Sequence, residues 1–305
     1  MAQGRAVASK GQTATQIAAL GLIWGFTFLF IKLSVEGLSP LWLVAVRTAA
    51  GFAVLLVAVR VMGTSWPRGR AMWAHIAFLA VPGNVIPWAM VAWAQRGVTS
   101  AMTAVLYSLI PLMSLLISAS VGTEQLTVRK LLGLVLASIG TGLAVGFDLA
   151  APGTASGVLA ILGACALLAG GAVYAKRFVT GHVAALPMVT VQLGIACLVA
   201  TPVALASDGL PNWDGITPSV AFAALTLGVL GTGVAFLIYY ALIDRIGATN
   251  ATMITYITPV IGLIAGGVIL DEPIPLSLLG GGAAILAGVW LAQATGLRVL
   301  SRGAR

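Results

Sequence analysis

Charge is what this chain lacks. Only 8% of its 305 residues are Asp, Glu, Lys or Arg, against roughly a quarter in an average soluble domain. Hydrophobic residues make up 60%, and the mean hydropathy is +1.06. A soluble fold of this length cannot hide that much apolar surface. The shortage of charge therefore excludes soluble enzymes and disordered proteins, and makes the bilayer the main solvent. Cysteine is scarce as well. Cys165 and Cys197 both lie in apolar stretches, where they read as small packing residues rather than a disulfide or metal site. No Walker A loop, dinucleotide fingerprint, zinc-binding pair or nucleophile elbow occurs. The sequence thus implies no cofactor and no metal, and excludes ATP-driven transport by this chain alone. The net charge of +8 does not point to nucleic acid, because the basic residues are scattered through short loops.

What is present is a series of long apolar runs. A bilayer-crossing helix needs about 20 mostly apolar residues. Ten runs qualify, near 15–35, 40–61, 72–95, 99–121, 129–147, 156–177, 184–206, 217–242, 247–270 and 274–296. Barrel strands are excluded, since the runs lack a short alternating pattern. The first run is too long for a signal-peptide core and no small-residue cleavage site closes it, so it reads as the first span. Charge tests the count. With both termini cytoplasmic, thirteen of the sixteen basic residues fall in inner segments, while Arg96 alone falls outside. Six acids, Glu36, Asp148, Asp208, Asp214, Asp271 and Glu272, fall outside. Excess Lys and Arg on the inner side is the expected bias. This predicts a multi-pass protein of a bacterial inner membrane.

The chain also repeats itself. Arg96-Gly-Val-Thr-Ser-Ala101 is followed by Pro111, Gly122-Thr-Glu124, Gly133 and Gly140. Ile246-Gly-Ala-Thr-Asn-Ala251 is followed by Pro259, Leu270-Asp-Glu272-Pro-Ile-Pro275, Gly281 and Gly288. The first elements lie 150 positions apart, and everything from the prolines onward 148 apart. The sequence thus predicts two five-helix repeats, 1–150 and 153–305. Five is odd, so the second copy is inverted relative to the first. Inverted repeats suit alternating access around a site near the midplane.

At this point the sequence resembles the drug/metabolite transporter superfamily, in its EamA-type members. The resembling residues are Trp24-Gly25 and Phe28, then Ser39-Pro40 with Arg47, the repeated Thr-Ser-Ala and Thr-Asn-Ala starts with their prolines, and Gly-Thr-Glu124 and Asp-Glu272-Pro273. The resemblance implies ten helices around a central cavity, and export or exchange of amino acids or related metabolites. It also makes an Arg47 paired with a Gln192 in the second repeat a familiar asymmetry.

Candidate binding residues are the polar and aromatic groups inside spans. Arg47 lies about 10 Å deep if Pro40 starts its helix. A cation at that depth faces the bundle interior or a wet cavity. It either docks a substrate carboxylate or binds helix-end carbonyls. Lys32 either assists it or snorkels to the nearer interface. Trp24 and Phe28 share a helix face with Lys32, and a similar stripe in span 8 runs Gly228, Thr232, Phe236, Tyr240. Such stripes line a cavity or pack a neighbour. Asn84, Gln192, Tyr107, Tyr174, Tyr239 and Tyr256 are buried polar candidates, with helix–helix hydrogen bonds as the competing role. Trp88 joins Asn84 in span 3. Pro111 and Pro259 would form matched kinks that let each half bend, and Pro82-Gly83 with Pro87 would make span 3 irregular near Asn84. Gly142-x-x-x-Gly146, Gly262-x-x-x-Gly266 and the Gly280, Ala284, Gly288 stripe would let helices approach closely, inside a monomer or in a weak homodimer.

No Asp or Glu falls in the middle of a span. A proton-coupled exporter commonly uses such a carboxylate as its relay. The resulting expectation is facilitated diffusion or exchange of a small molecule carrying a carboxylate. A drug exporter of the same fold is the alternative. A lipid enzyme would need a cluster of His, Asp, Glu or Ser near one interface, and none is visible.

Overall fold

The computed structural model describes residues 10–146, 154–247, 251 and 254–293. Among these residues the regular structure is helical. The first repeat contains α1 (Lys10–Ser34), α2 (Pro40–Met62), α3 (Arg70–Ala80), α4 (Ile86–Ala94), α5 (Ser100–Tyr107), α6 (Ile110–Ser120) and α7 (Val128–Val145). The second contains α8 (Thr154–Phe178), α9 (Ala185–Asp208), α10 (Pro218–Gly228), α11 (Ala235–Ile246), α12 (Ile254–Ile269) and α13 (Leu276–Gln293). A π-helical turn, Val81–Val85, joins α3 to α4, and another, Val229–Val234, joins α10 to α11. With α5 and α6 read as one broken span, this makes ten helical spans. Nine have the length and composition to cross a membrane, and α12 is a shorter apolar helix. The expected start of that ninth span, with Thr249 and Asn250, lies outside the described residues.

Local sequence explains the helix starts. Ser39, Thr99, Thr127 and Thr217 each accept a hydrogen bond from a backbone N–H three residues on. Each satisfies an amide that the helix itself cannot. Pro40 and Pro218 occupy the first helical position, where a missing N–H costs nothing. Gly63 ends α2 with φ 62°, a conformation that glycine adopts without strain. The outward faces stay apolar: Val61, Leu159, Leu198 and Val268 are all exposed, as a lipid-facing surface requires.

The connections alternate between two faces. One carries Glu36, Arg96, Asp208 and Glu272 and is called the acidic face. The other carries Arg60, Arg129, Lys130, Lys176, Arg177 and Arg245 and is called the basic face. The repeats interleave rather than sit side by side. In the first repeat α1 packs on α10 and α12 of the second; in the second, α8 packs on α4 and α6 of the first.

Among the described residues the most extensive helix packing is between α7 and α13. A Cβ added at Gly133 would lie 2.6 Å from the Gly288 carbonyl oxygen, and one at Gly140 would lie 2.7 Å from that of Gly281. Gly133 and Gly281 correspond by the 148-residue offset, as do Gly140 and Gly288, so the four glycines form a two-fold set. The expected Gly142 and Gly280 positions do not take part, because nothing lies within 4 Å of either added Cβ. Helix rotation puts them on the outer side of the pair. Gly262 and Gly266 do make the expected close contact, against Ala104 and Ala101 of α5.

Candidate functional site

A cavity of about 450 Å³ lies between the repeats. Its lining comes from α1, α2, α3, α4, α5, α6, α8, α9, α11, α12 and both π turns, and none of it from α7 or α13. Arg47 is its one charged lining residue among those described. The rest is mostly aromatic or small: Trp24, Phe28, Trp88, Tyr107, Tyr239 and Tyr240 face it, beside Gly83, Gly171 and Ala172.

Arg47 is 8% exposed. Its Nε donates to Thr232 Oγ1 at 2.9 Å, and its guanidinium carbon sits 3.8 Å from the centroid of the Trp88 ring. Stacking of this kind leaves the in-plane N–H edge open. Among the described residues no acidic side chain lines the cavity, and the ion pair found among them, Lys130 with Glu124, lies elsewhere. Thr232 in turn donates to the Leu227 carbonyl at 3.1 Å. A π turn shifts the backbone bonding by one residue and frees carbonyls, so that carbonyl is open to a side-chain donor.

The second repeat returns the same motif. Gln192 stands in span 7 where Arg47 stands in span 2. Its Nε2 donates to Asn84 Oδ1 at 2.6 Å and to the Leu79 carbonyl at 3.3 Å. Asn84 belongs to the first π turn as Thr232 belongs to the second, 148 positions on, and Leu79 and Leu227 are separated by the same offset. Each repeat thus bonds the π turn of the other, against which its helix packs.

Aromatic contacts shape the walls. Trp24 meets Tyr239 at 5.1 Å between centroids, and Phe28 meets Tyr107 edge-on at 5.2 Å. At the acidic face the two repeats are joined by direct hydrogen bonds. Glu272 accepts hydrogen bonds from the Ser100 amide (2.7 Å), the Ser100 hydroxyl (2.9 Å) and the Ala101 amide (3.0 Å). It therefore caps α5, where the helix dipole favours an anion. Beside it, Lys32 Nζ donates to the carbonyls of Gln95 (2.5 Å) and Val98 (3.2 Å).

These features arise on a chain that matches known sequences over most of its length. A model described as the EamA-like transporter family matches it twice, over residues 13–146 and 155–293. The chain belongs to that family. It is 24% identical over 283 residues to the uncharacterized transporter YvbV of Bacillus subtilis, covering 92% of both chains. It is 29% identical over 258 residues to the uncharacterized inner membrane transporter YedA of Escherichia coli, covering 81% of this chain and 79% of that one. It is 26% identical over 283 residues to a probable amino-acid metabolite efflux pump of Salmonella typhimurium, covering 88% and 91%. One crystal structure aligns with a TM-score of 0.65 at 21% identity, over 95% of this chain and 99% of that one, and supports the fold alone.

In this EamA-like transporter the sequence candidates divide. Arg47, Trp24, Phe28, Asn84, Trp88, Tyr107, Gln192, Tyr239 and Pro111 all line the cavity. Lys32 does not: its long side chain reaches the helix-end carbonyls near the acidic face, the snorkelling alternative. Tyr174 turns away toward His75, bonding its Nδ1 at 2.7 Å within a cluster that includes Phe78 and Phe178. Tyr256 bonds Gln293 Oε1 at 3.0 Å and so ties α12 to α13. The two prolines also differ. Pro111 follows a break in span 4 between Tyr107 and Ile110, whereas Pro259 sits inside the continuous helix α12. Sequence reading missed Thr27, Thr255 and Thr258 as lining residues. Threonine is tolerated inside membrane helices because its hydroxyl can bond its own backbone, as Thr27 and Thr258 do here, so these positions gave no distinct signal.

Proposed function

We propose that this EamA-like transporter is a secondary carrier that exports or exchanges amino acids or related small metabolites by alternating access. Arg47 receives the substrate carboxylate, and the aromatic walls hold its apolar part. One observation carries the reading: among the described residues Arg47 is buried, held through Nε and one ring face, and has no counter-ion in the cavity. An unpaired guanidinium in an apolar interior is costly. A bound carboxylate would offset that cost and could accept two parallel N–H bonds. Trp88 and Thr232 hold the guanidinium still, which reduces the entropy lost on binding.

Among the described residues the lining offers no carboxylate to carry a proton, which supports facilitated diffusion or exchange over proton coupling. The efflux pump named in Salmonella typhimurium supports the amino-acid direction of this reading. The basic face is cytoplasmic by the positive-inside rule, with both termini on that side. Residues 1–150 and 153–305 act as the two moving halves, and the break before Pro111 supplies one point of bending.

Counterflow of labelled amino acids into proteoliposomes tests this directly. Saturable exchange by the wild type, lowered at least about tenfold in Arg47→Gln, is the expected result. Exchange that survives the substitution would make Arg47 a structural residue. Exchange of lipophilic drugs with no amino acid competing would move the substrate to the xenobiotic class.

A further inference from the structure

The cavity has a second polar end built on the plan of the first. At one end Arg47 of span 2 bonds a π-turn residue of the other repeat, Thr232, with Trp88 against its face. At the other, Gln192 of span 7 bonds the corresponding π-turn residue, Asn84, and Phe236 corresponds to Trp88 by the same 148-residue offset. Trp88 and Phe236 both line the cavity. Gln192 is 8% exposed and Asn84 3%. Among the described residues, Gln192 Oε1 and Asn84 Nδ2 make no hydrogen bond with protein, yet neither atom is shut away from the cavity. The pair therefore keeps one acceptor and one donor unspent, both neutral.

We infer that Gln192 and Asn84 form a second recognition pole for the same substrate, taking an uncharged polar group while Arg47 takes the anion. The residue at position 192 then sets the charge of the substrate's far end. This inference rests on the reading of Arg47 as the carboxylate site. A ligand bound between the poles is a monoanion with a neutral hydrogen-bonding group, such as a hydroxyl, ester, amide or keto oxygen. A second carboxylate would meet Gln192 Oε1 with no cation to balance it, and would lose water for nothing. Replacing Gln192 by Arg would reproduce the first pole at the second and favour a dianion.

The test uses full-length protein in detergent and calorimetric titration. Probes are the α,ω-dicarboxylates from glutarate to suberate, their monomethyl esters, and 6-aminohexanoate. Each diacid and its half-ester share a skeleton and differ by one charge, and the length series covers the span between poles. The wild type should bind the best half-ester at least about tenfold more tightly than the matching diacid. Gln192→Arg should reverse that order. Gln192→Glu, which keeps the shape of the side chain, should shift preference toward 6-aminohexanoate, and carries the test if the Arg variant does not fold. An unchanged half-ester to diacid ratio in both variants would overturn the second pole. If Arg47→Gln still abolished binding, the first pole would stand without it. Failure of the wild type to bind any probe would overturn both.

Discussion

At the acidic face, Glu272 of the second repeat caps a helix of the first with three hydrogen bonds, and Lys32 clamps two carbonyls beside it. At the basic face their repeat-related counterparts do something else. Glu124 pairs with Lys130 of its own repeat at 2.6 Å, and Lys176 is exposed. The α7–α13 glycines and the two π-turn bonds, by contrast, obey the two-fold relation closely. The molecule thus mixes symmetric contacts in its middle and flank with asymmetric ones at its faces. Symmetric contacts can persist when two inverted halves exchange shapes. Under the proposed alternation, asymmetric ones would be broken in one half and remade in the other.

The sharpest way to break this comparison is at the symmetric side. A Cβ at Gly281 would collide with the backbone of Ala144 and Gly140. Gly281→Val should destabilise the protein by about 3 kcal/mol, seen as loss of monodisperse material and a lower Tm in detergent. Gly142→Val, on the open side of the same helix pair, should cost under about 1 kcal/mol. Equal losses from the two would show that α7 and α13 are not packed through this glycine set.

The acidic face should respond less severely but more informatively. Glu272→Gln removes the charge from three hydrogen bonds and should loosen the contact between repeats at that face. A cysteine at Thr258, with Cys165 and Cys197 replaced by alanine, should then react several-fold faster with an impermeant thiol reagent added at the acidic face. Glu124→Gln should leave that rate unchanged. Equal effects from the two glutamates would remove the asymmetry. The smallest effect belongs to Tyr256→Phe, which deletes one hydrogen bond to Gln293. It should lower stability by about 1 kcal/mol and leave substrate exchange intact, in contrast to loss of Tyr107 from the cavity wall.

Much of this architecture was legible in the sequence. Span number follows from apolar runs, because each helix must satisfy its own backbone in lipid. Arg47 stood out because a buried cation is rare. The irregularity near Asn84 was announced by Pro82 and Gly83. Its partner at Val229–Val234 carries no proline, only Gly231 and Gly233, and went unread until the structure placed it. The tyrosines show the limit most plainly. Tyr107, Tyr174 and Tyr256 are the same residue in similar apolar contexts, and only helix rotation sends one into the cavity and two to neighbouring helices. For Lys32 the sequence left two roles open, and four methylenes let its charge settle on the carbonyls of Gln95 and Val98, away from its backbone position.

The paired π turns also bear on how such a chain tolerates change in length. Each turn accommodates one residue more than a regular helix would hold over the same rise. Removing one residue from Val81–Val85 or Val229–Val234 would let that span relax into an uninterrupted helix. Everything beyond it would keep its place and facing, because only the surplus residue is lost. Trp88 and Phe236 would still face the cavity, and only the turn itself would change, with Asn84 or Thr232 drawn into a regular helix. At these two places a single-codon deletion is the mild lesion, whereas the same deletion in a regular helix would swing everything beyond it by about 100° around the axis.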